Sequence, residues 1–451
     1  MEAAFTSRIE TEVLPRDFLF EKFPTWTLPH WCIVVFAVSF LILAVLPEGR
    51  LNELTVPTGG ENIRVARSLA FSGAFADPFA TMKTGTTAHV APAYPFLYSL
   101  ALRMFGTGYV ALLTLWALNV GFFSFQMGLL PLLSHRLHLG VLPGILAAAL
   151  GTFSLYSPID TRWESFLVGL LLLLTFFATE RSFYRPSAAA SVFAGIFWGV
   201  LILTNPVLGF LLLAWPLCWF FAQPKAERGK AARRVALIVA LALLIASPWI
   251  VRNYARFGSF VFVRDNLGLE LYTSNNSCAA PSISENIQSG CHARTHPNAN
   301  GAVAAQLAAA GEVQFNHAKL HAASDWISSH PAAFLRLTLQ RFRLFWFPHP
   351  ERLWEGAPVW IVTLLSFAGL WVIAQKNVVA AWLMGSAWLL FPLVYYITQF
   401  EPRYRYPIYW TSLLPAGCAL LEILRRLLGF SDPQRKSFPK STAPETAQTQ
   451  G

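Results

Sequence analysis

The sequence predicts an all-α protein that crosses a membrane many times, because of its composition and the length of its apolar blocks. Charged residues make up 13% of the 451 residues and hydrophobic residues 55%, whereas about a quarter of a soluble domain is charged. Too little polar surface remains to cover one soluble core. The apolar blocks, for example 31–46, 235–251 and 359–374, approach the ~20 residues with which a helix crosses hydrocarbon. The alternating pattern of barrel strands is missing, so the spans are expected to be helices.

Apolar length and the bounding charges or turn residues predict about ten spans. The first follows a polar segment without a small-residue cleavage site, so we interpret it as a retained anchor. The pair of spans around Asn205-Pro206 could also be a re-entrant hairpin. The spans are predicted near residues 30–48, 109–132, 141–157, 165–179, 190–204, 206–222, 235–251, 357–374, 378–398 and 407–424.

The formal charge of +10 fits a membrane protein better than a nucleic-acid-binding one, because the basic residues mostly flank apolar blocks. Short basic loops follow the fourth, sixth and last predicted spans, and placing them in the cytoplasm orients the chain. Segments 1–29 and 425–451 are then cytoplasmic, and the polar composition of the second predicts disorder. Loops 48–108, 252–356 and 399–407 belong to the 30–424 membrane domain and lie on its outer side, where function is expected.

The first outer loop offers two candidate catalytic carboxylates. Residues 61–71 have the spacing of a short amphipathic helix on the membrane surface, with Arg64 on its polar side. Glu61 could act as a general base for an acceptor hydroxyl, or only close the helix in a capping box with Thr58. Asp77 is the second candidate base, although an Asp before Pro at a turn often bonds its own backbone.

Arginines in the later outer segments are candidates for binding a phosphate. Arginine suits this task because its planar, permanently charged group donates two hydrogen bonds at once. Arg252 lies where a span is predicted to emerge at headgroup depth, and could instead snorkel to water. Arg264 and Asp265 could also pair with each other. Arg403 and Arg405 lie outside just before the last span, against the positive-inside tendency, and a phosphate ligand would explain this exception.

A further surface helix is predicted between Pro331 and Phe347. Its polar face carries Arg336, Gln340 and Arg343, while its large apolar residues fall on another face. This pattern predicts a helix that lies on the membrane and anchors the chain to anionic lipid.

Two of the five cysteines, Cys278 and Cys291, share the second outer loop. Since the outer compartment permits oxidation, a disulfide between them is predicted, with two unpaired thiols as the alternative. A metal site with His292 and His296 fits no standard zinc spacing. Glu61, Asp77 and His89 could approach a divalent metal, but their spacing does not require one.

Several motifs in order resemble the GT-C superfamily of glycosyltransferases, and within it the family-39 branch with protein O-mannosyltransferases and the lipid A aminoarabinose transferase. Where many members have Asp-Glu, this chain has Gly60-Glu61, so either Glu61 or Asp77 could be the base. The resemblance covers the outer loops rather than the spans. Its motifs are Glu61, Gly73-Ala74-Phe75, Pro78-Phe79, Thr84-Gly85-Thr86-Thr87-Ala88, Pro92-Ala93-Tyr94-Pro95, the run from Pro248 to Tyr272, His296-Pro297, Gly311-Glu312 and Arg403-Tyr404-x-x-Pro407.

The resemblance implies a GT-C-like bundle and a reaction in which an acceptor hydroxyl displaces a sugar from polyprenyl phosphate, with inversion. Glu61 first and Asp77 second would be the base. The donor phosphate would be bound by Arg403, Arg405, Arg252 and Tyr404. Candidates for contacting substrate or acceptor are Arg64, His89, Tyr94, Arg264, Asp265 and Glu270.

The expected partners are a polyprenyl-phosphate-linked sugar, an acceptor that is a glycan, lipid or protein, and membrane lipid. The expected location is a bacterial inner membrane, with the site facing the periplasm or exterior. No Gly-rich nucleotide loop is present, which agrees with a lipid donor. The alternatives are a transporter or flippase of lipid-linked sugars, against which the absence of a clear repeat argues, and a silent relative that only binds glycolipid.

Overall fold

The computed structural model describes residues 26–45, 60–155, 162–348 and 353–428. Within this part of the chain, seven helices are long and apolar enough to cross a membrane. Three shorter apolar helices, Leu142–Phe153, Ala188–Thr204 and Pro206–Ala222, lie at the other three positions where spans are predicted. The protein is therefore an all-α integral membrane protein, as its composition predicted. Thr58 and nearly all of the predicted terminal segments lie outside the described residues.

The first half of the chain contains most of the apolar helices. Its spans end within a few residues of the predicted positions, except that α9 continues past Arg252. The helices in chain order are α1 (Leu28–Val45), α2 (Glu61–Ser72), α3 (Ala93–Phe105), α4 (Tyr109–Arg136), α5 (Leu142–Phe153), α6 (Ser165–Tyr184), α7 (Ala188–Thr204), α8 (Gly209–Ala222) and α9 (Arg228–Phe257).

The second half consists of a helical loop region followed by the last three spans. The last helix continues to Leu427, past residue 425, at which the C-terminal tail is predicted to begin. Residues Pro402–Ile408 form a 3₁₀ helix that leads into the last helix, α19 (Tyr409–Leu427). The helices are α10 (Leu267–Ser274), α11 (Ile283–Gln288), α12 (Cys291–Thr295), α13 (Gly301–Ala310), α14 (Glu312–Ser329), α15 (Pro331–Trp346), α16 (Leu353–Lys376), α17 (Val378–Leu390), α18 (Leu393–Ile397) and α19.

Small residues allow the last span to pack at the centre of the bundle. Gly369 of α16 lies against the Pro415 backbone of α19, and Gly417 of α19 lies against the Pro143 backbone of α5. A side chain at either glycine would collide with this backbone, so the close approach requires glycine. Nearly all of α19 from Tyr409 to Ala419 is buried, which fixes the 3₁₀ helix before it.

The three loop segments assemble at one end of the bundle. The Arg252 guanidinium donates to the carbonyls of Thr87 (2.9 Å) and Phe75 (3.3 Å), which joins the second segment to the first. The Ile283 amide donates to the Phe400 carbonyl at 3.0 Å, which joins the second to the third. Residues distant in sequence are thereby brought to one place.

Candidate functional site

The helix α2 places Glu61 at its N-terminus, next to the start of α6. The residue before the helix is Gly60, which makes no side-chain cap bond, and a side chain there would lie 3.2 Å from the Trp163 ring. Asn62 is buried and donates to the Glu164 carboxylate at 2.8 Å. These contacts fix the first turn of α2, where Glu61 is half-buried.

Four charged side chains from three loop segments act on one another around Glu61. The pKa of Glu61 is raised to about 7, first by desolvation and then by the charge of Glu270, whereas the charges of Arg403 and Arg264 oppose the shift. Burial also raises the pKa of Glu270, against the same two arginines. The site therefore combines two carboxylates with two guanidinium groups, and it brings the acid of the first loop to an arginine of the last.

The Arg403 side chain is held by aromatic rings. Its guanidinium carbon lies 3.4 Å from the Trp163 ring centroid, and it donates a long hydrogen bond to the Tyr404 hydroxyl at 3.4 Å. Tyr404 in turn stacks on Tyr395 at 4.4 Å. A cation over the face of an indole is attracted to the ring and keeps a defined orientation. Trp163 thus connects Gly60, beside the candidate base, with Arg403.

Arg405, the second arginine of the predicted phosphate pair, occupies a different environment. It is 4% exposed and donates to the Trp346 carbonyl (3.2 Å) and the Thr363 hydroxyl (2.8 Å). These partners belong to α15 and α16, so the guanidinium holds the end of α15 against the bundle. Arg405 and Arg403 hydrogen-bond different residues. A role of Arg405 in phosphate binding stays a prediction.

Arg252 and Glu312 together hold the strand-like segment around Thr87. Besides its two bonds to carbonyls, Arg252 lies over the Trp249 ring at 4.6 Å. The buried Glu312 carboxyl accepts hydrogen bonds from the Thr87 hydroxyl and from the Ala88 amide, the latter at 2.6 Å. Burial raises the pKa of Glu312 to about 8. Arg252 is thus occupied by protein partners in this structure, and its predicted contact with phosphate is untested.

Asp77 closes a turn. Its carboxylate accepts from the Gly85 amide at 2.8 Å, and its own amide donates to the Gly85 carbonyl at 3.0 Å. It also adopts a positive φ of 59°, a conformation that aspartate tolerates better than most residues. These contacts support the structural interpretation of Asp77 and favour Glu61 as the candidate base.

Arg264 and Asp265 of the second loop segment contact the first loop segment at His89 and its neighbour. The Arg264 side chain donates to the His89 carbonyl at 3.0 Å, and the Asp265 amide donates to the Ala88 carbonyl at 2.9 Å. Burial and the nearby Arg264 lower the pKa of His89 to about 3, so its imidazole is neutral. Burial raises the pKa of Asp265 to about 6. Arg264 is the member of this group whose charge reaches Glu61.

Two other candidates, Arg64 and Tyr94, lie on α2 and α3. Burial lowers the pKa of Arg64, and the charge of Glu61 opposes this. The Tyr94 hydroxyl lies within hydrogen-bond distance of the Tyr98 hydroxyl (2.7 Å) and the Asn119 side-chain oxygen (3.2 Å) inside the protein. Tyr94 therefore binds α3 to α4, and its contact with an acceptor remains a prediction.

Cys278 and Cys291 form a disulfide in the structure. It joins the segment after α10 to α12, beside the stacked rings of His292 and His296, whose centroids are 4.6 Å apart. Among the residues described, no group of three or more His, Cys, Asp or Glu side chains could hold a metal ion. The suggested cation site of Glu61, Asp77 and His89 is therefore not assembled in this arrangement.

Sequence reasoning missed two residues of the site. Trp163 was not singled out, because a tryptophan at a span end is ordinary in a membrane protein. Gln399 is buried, accepts from the Asn286 amide group at 2.9 Å, and hydrogen-bonds the Glu270 side chain. Only its position directly before the Arg403 motif could have drawn attention to it.

Solved structures with a similar fold are those of an oligosaccharyltransferase from Archaeoglobus fulgidus. The AglB protein in complex with an inhibitory peptide and a dolichol-phosphate matches with a TM-score of 0.52 and 15% identity, over 92% of this chain and 53% of that chain. The enzyme tethered with an acceptor peptide containing the NVT sequon matches with a TM-score of 0.53 and 15% identity, over 91% and 51%. No family model and no curated protein matches the chain.

The likeness at this identity shows the fold. The chain is a polytopic membrane protein with the GT-C fold of these oligosaccharyltransferases, as the loop motifs predicted. It spans about half the length of the solved structures that it matches.

Proposed function

We propose that this protein is a membrane glycosyltransferase that transfers a sugar from a polyprenyl-phosphate donor to an acceptor hydroxyl. The observation that carries the proposal is the juxtaposition of Glu61 with Arg403 and Arg264 at the loop end of a GT-C fold. A transfer of this kind needs a base for the hydroxyl and positive charge for the departing phosphate. The cluster supplies both from different loops.

In the proposed reaction, Glu61 removes the proton of the acceptor hydroxyl while the hydroxyl oxygen attacks the anomeric carbon of the sugar. A new bond forms between that oxygen and the sugar, and the bond between the sugar and the phosphate oxygen breaks. The leaving polyprenyl phosphate gains the negative charge, which Arg403 and Arg264 stabilise. A single displacement inverts the configuration at the anomeric carbon. A pKa near 7 suits a base that works at neutral pH.

The lipid nature of the donor is inferred from the fold and the site's position. A similar solved structure contains dolichol-phosphate, a lipid-linked phosphate, and the cluster here lies at the end of the apolar helices. We place the site on the outer face of a bacterial inner membrane, where the disulfide can form. The acceptor is a hydroxyl on a glycan, a lipid or a protein.

The test is sugar release by the purified protein from a polyprenyl-phosphate sugar with a radiolabel in the sugar. We expect Glu61→Gln to reduce the rate of transfer at least ~100-fold, as removal of a general base does. Asp325→Asn is the matched control, because it also replaces a carboxylate by an amide, at an exposed residue of α14. Wild-type rates in Glu61→Gln, with an unchanged unfolding temperature, would remove Glu61 as the base.

The same assay separates the alternatives. A transporter or flippase would move the labelled donor across vesicles without releasing its sugar, and a silent relative would bind the donor only. An absence of release with every acceptor class, together with donor movement, would replace the proposal by transport.

A further inference from the structure

The helix α15 has an exposed strip of large apolar side chains. Leu335, Leu339 and Phe342 are 57%, 59% and 50% exposed and recur at the spacing of one helix face. Such a strip is expected to contact another apolar surface.

A strip of polar side chains runs beside the apolar one. Arg336, Gln340 and Arg343 lie beside Leu335 and Leu339, and together they form a shallow, open groove on the surface of α15. The two arginines are seven positions apart, which corresponds to ~10 Å along a helix, and Gln340 lies between them. This surface groove therefore has an apolar side and a basic side, both formed by α15.

The charges of this helix are all positive. Residues Pro331–Trp346 contain three arginines and no acidic residue. Within the part of the chain that the structure describes, no carboxylate pairs with Arg336. The groove is thus complementary to a molecule with an anionic group beside hydrocarbon chains.

The opposite face of α15 holds the helix in place. Leu337, Arg341 and Leu344 are buried, and Arg341 donates to the Asn275 side chain (3.2 Å) and the Ile397 carbonyl (3.1 Å). Because this face is fixed, the groove is already formed before any ligand arrives.

The position of α15 puts the groove at the membrane boundary. The helix ends at Trp346, whose carbonyl accepts from the Thr363 hydroxyl of α16 at 2.9 Å. Residues Gly356–Lys376 of that helix form a candidate membrane span. Leu335, Leu339 and Phe342 can then enter the acyl region while the arginines meet the headgroups.

We propose that the groove of α15 is a binding site for an acidic phospholipid, with the headgroup phosphate on Arg336 and Arg343 and the acyl chains along Leu335 and Leu339. The site is separate from the charged cluster around Glu61, and the proposal does not depend on the proposed transferase activity. It distinguishes the lipid by charge, so a zwitterionic phospholipid binds less tightly.

The experiment uses the full chain in nanodiscs that contain a photo-crosslinking phosphatidylglycerol or the matching phosphatidylcholine. Labelled peptides are mapped by mass spectrometry. We expect phosphatidylglycerol to label residues 335–343 preferentially. Arg336→Gln should reduce this labelling ~5-fold, since one basic residue near an anionic surface has about that effect. Arg294→Gln, the same change at an exposed loop arginine outside the groove, should leave it unchanged.

Several results would overturn the assignment. Equal labelling by the two lipids, or an equal loss in Arg294→Gln, would show that the groove does not select an acidic lipid. Displacement by inorganic phosphate alone would indicate a free-anion site. Preferential displacement by polyprenyl phosphate would make the groove a donor site, and crosslinks between two copies of α15 would make it a protein interface. An unchanged unfolding temperature of Arg336→Gln shows that any loss is not due to misfolding.

Discussion

Glu61 and Glu270 both interact with the charges of Arg264 and Arg403, and these interactions influence the pKa of each carboxyl group. Desolvation raises the pKa of both carboxyl groups, and the charges of Arg264 and Arg403 lower it. Removing any one of the four charges changes the proton affinity of the others. The groups that face Glu61 are Glu270, Arg403 and Arg264 from other segments and Arg64 from its own helix.

We expect Glu270→Gln to shift the acid limb of the activity profile to lower pH. The negative charge of Glu270 raises the pKa of Glu61, so its removal lowers that pKa and keeps the base deprotonated in more acidic solution. The measurement is kcat/KM for sugar transfer against pH, compared with the wild type and with Asp325→Asn. A limb that stays in place or moves to higher pH would contradict the coupling.

Glu312 couples the stability of the loop assembly to pH. Burial raises the pKa of Glu312 from its ordinary value of 4.5 to about 8. Between these pH values the folded protein keeps a proton on Glu312, whereas the unfolded chain has lost it. The stabilisation from this group is complete below about pH 4.5 and is lost as the pH rises to about 8.

We expect Glu312→Gln to flatten the pH dependence of the unfolding temperature between about pH 5 and 8. The wild type should lose stability with rising pH over this interval, because a carboxylate must then form in a buried place. Thermal unfolding of the purified protein in buffers of equal ionic strength tests this, with Asp325→Asn as the control. Parallel slopes for the variant and the wild type would show that Glu312 is not the group responsible.

At the scale of elements, α15 joins the loop assembly to the bundle. Its buried Arg341 reaches the end of α10, where it donates to the Ser274 carbonyl and the Asn275 side chain, and the end of α18 at Ile397. Its last residue, Trp346, accepts from Arg405. The helix thus fixes two elements that carry the site, since α10 presents Glu270 and α18 leads to Gln399.

We expect Arg341→Ala to lower the free energy of unfolding by ~3 kcal/mol or more, because buried acceptors on α10 and α18 would lose their donor. Arg336→Ala, on the exposed face of the same helix, should change it by no more than ~0.5 kcal/mol. Thermal unfolding in detergent compares the two variants. Equal effects would mean that the contacts of Arg341 contribute little to the assembly.

At the scale of the whole molecule, the sequence predicts the spans well because hydrocarbon imposes one requirement on every span, namely length and apolar character. It also predicts the helix from Glu61, which the structure extends to Ser72. It could not predict which arginine approaches Glu61, because Arg403 and Arg405 have the same local context. Their difference arises from packing against Trp163 and Thr363, which are remote in sequence.

The orientation of the chain is the prediction on which the outer location of the site depends. Ser328 on α14 and Lys225 after α8 are both exposed, and the positive-inside rule places Lys225 in the cytoplasm. We expect a membrane-impermeant maleimide to label Ser328→Cys on intact cells and Lys225→Cys only after the membrane is permeabilised. The wild type provides the background, since its unpaired cysteines lie in the apolar helices α1, α8 and α19. Labelling of Lys225→Cys alone on intact cells would show that the orientation is the reverse of the predicted one. The charged cluster would then lie in the cytoplasm, where the disulfide would not persist.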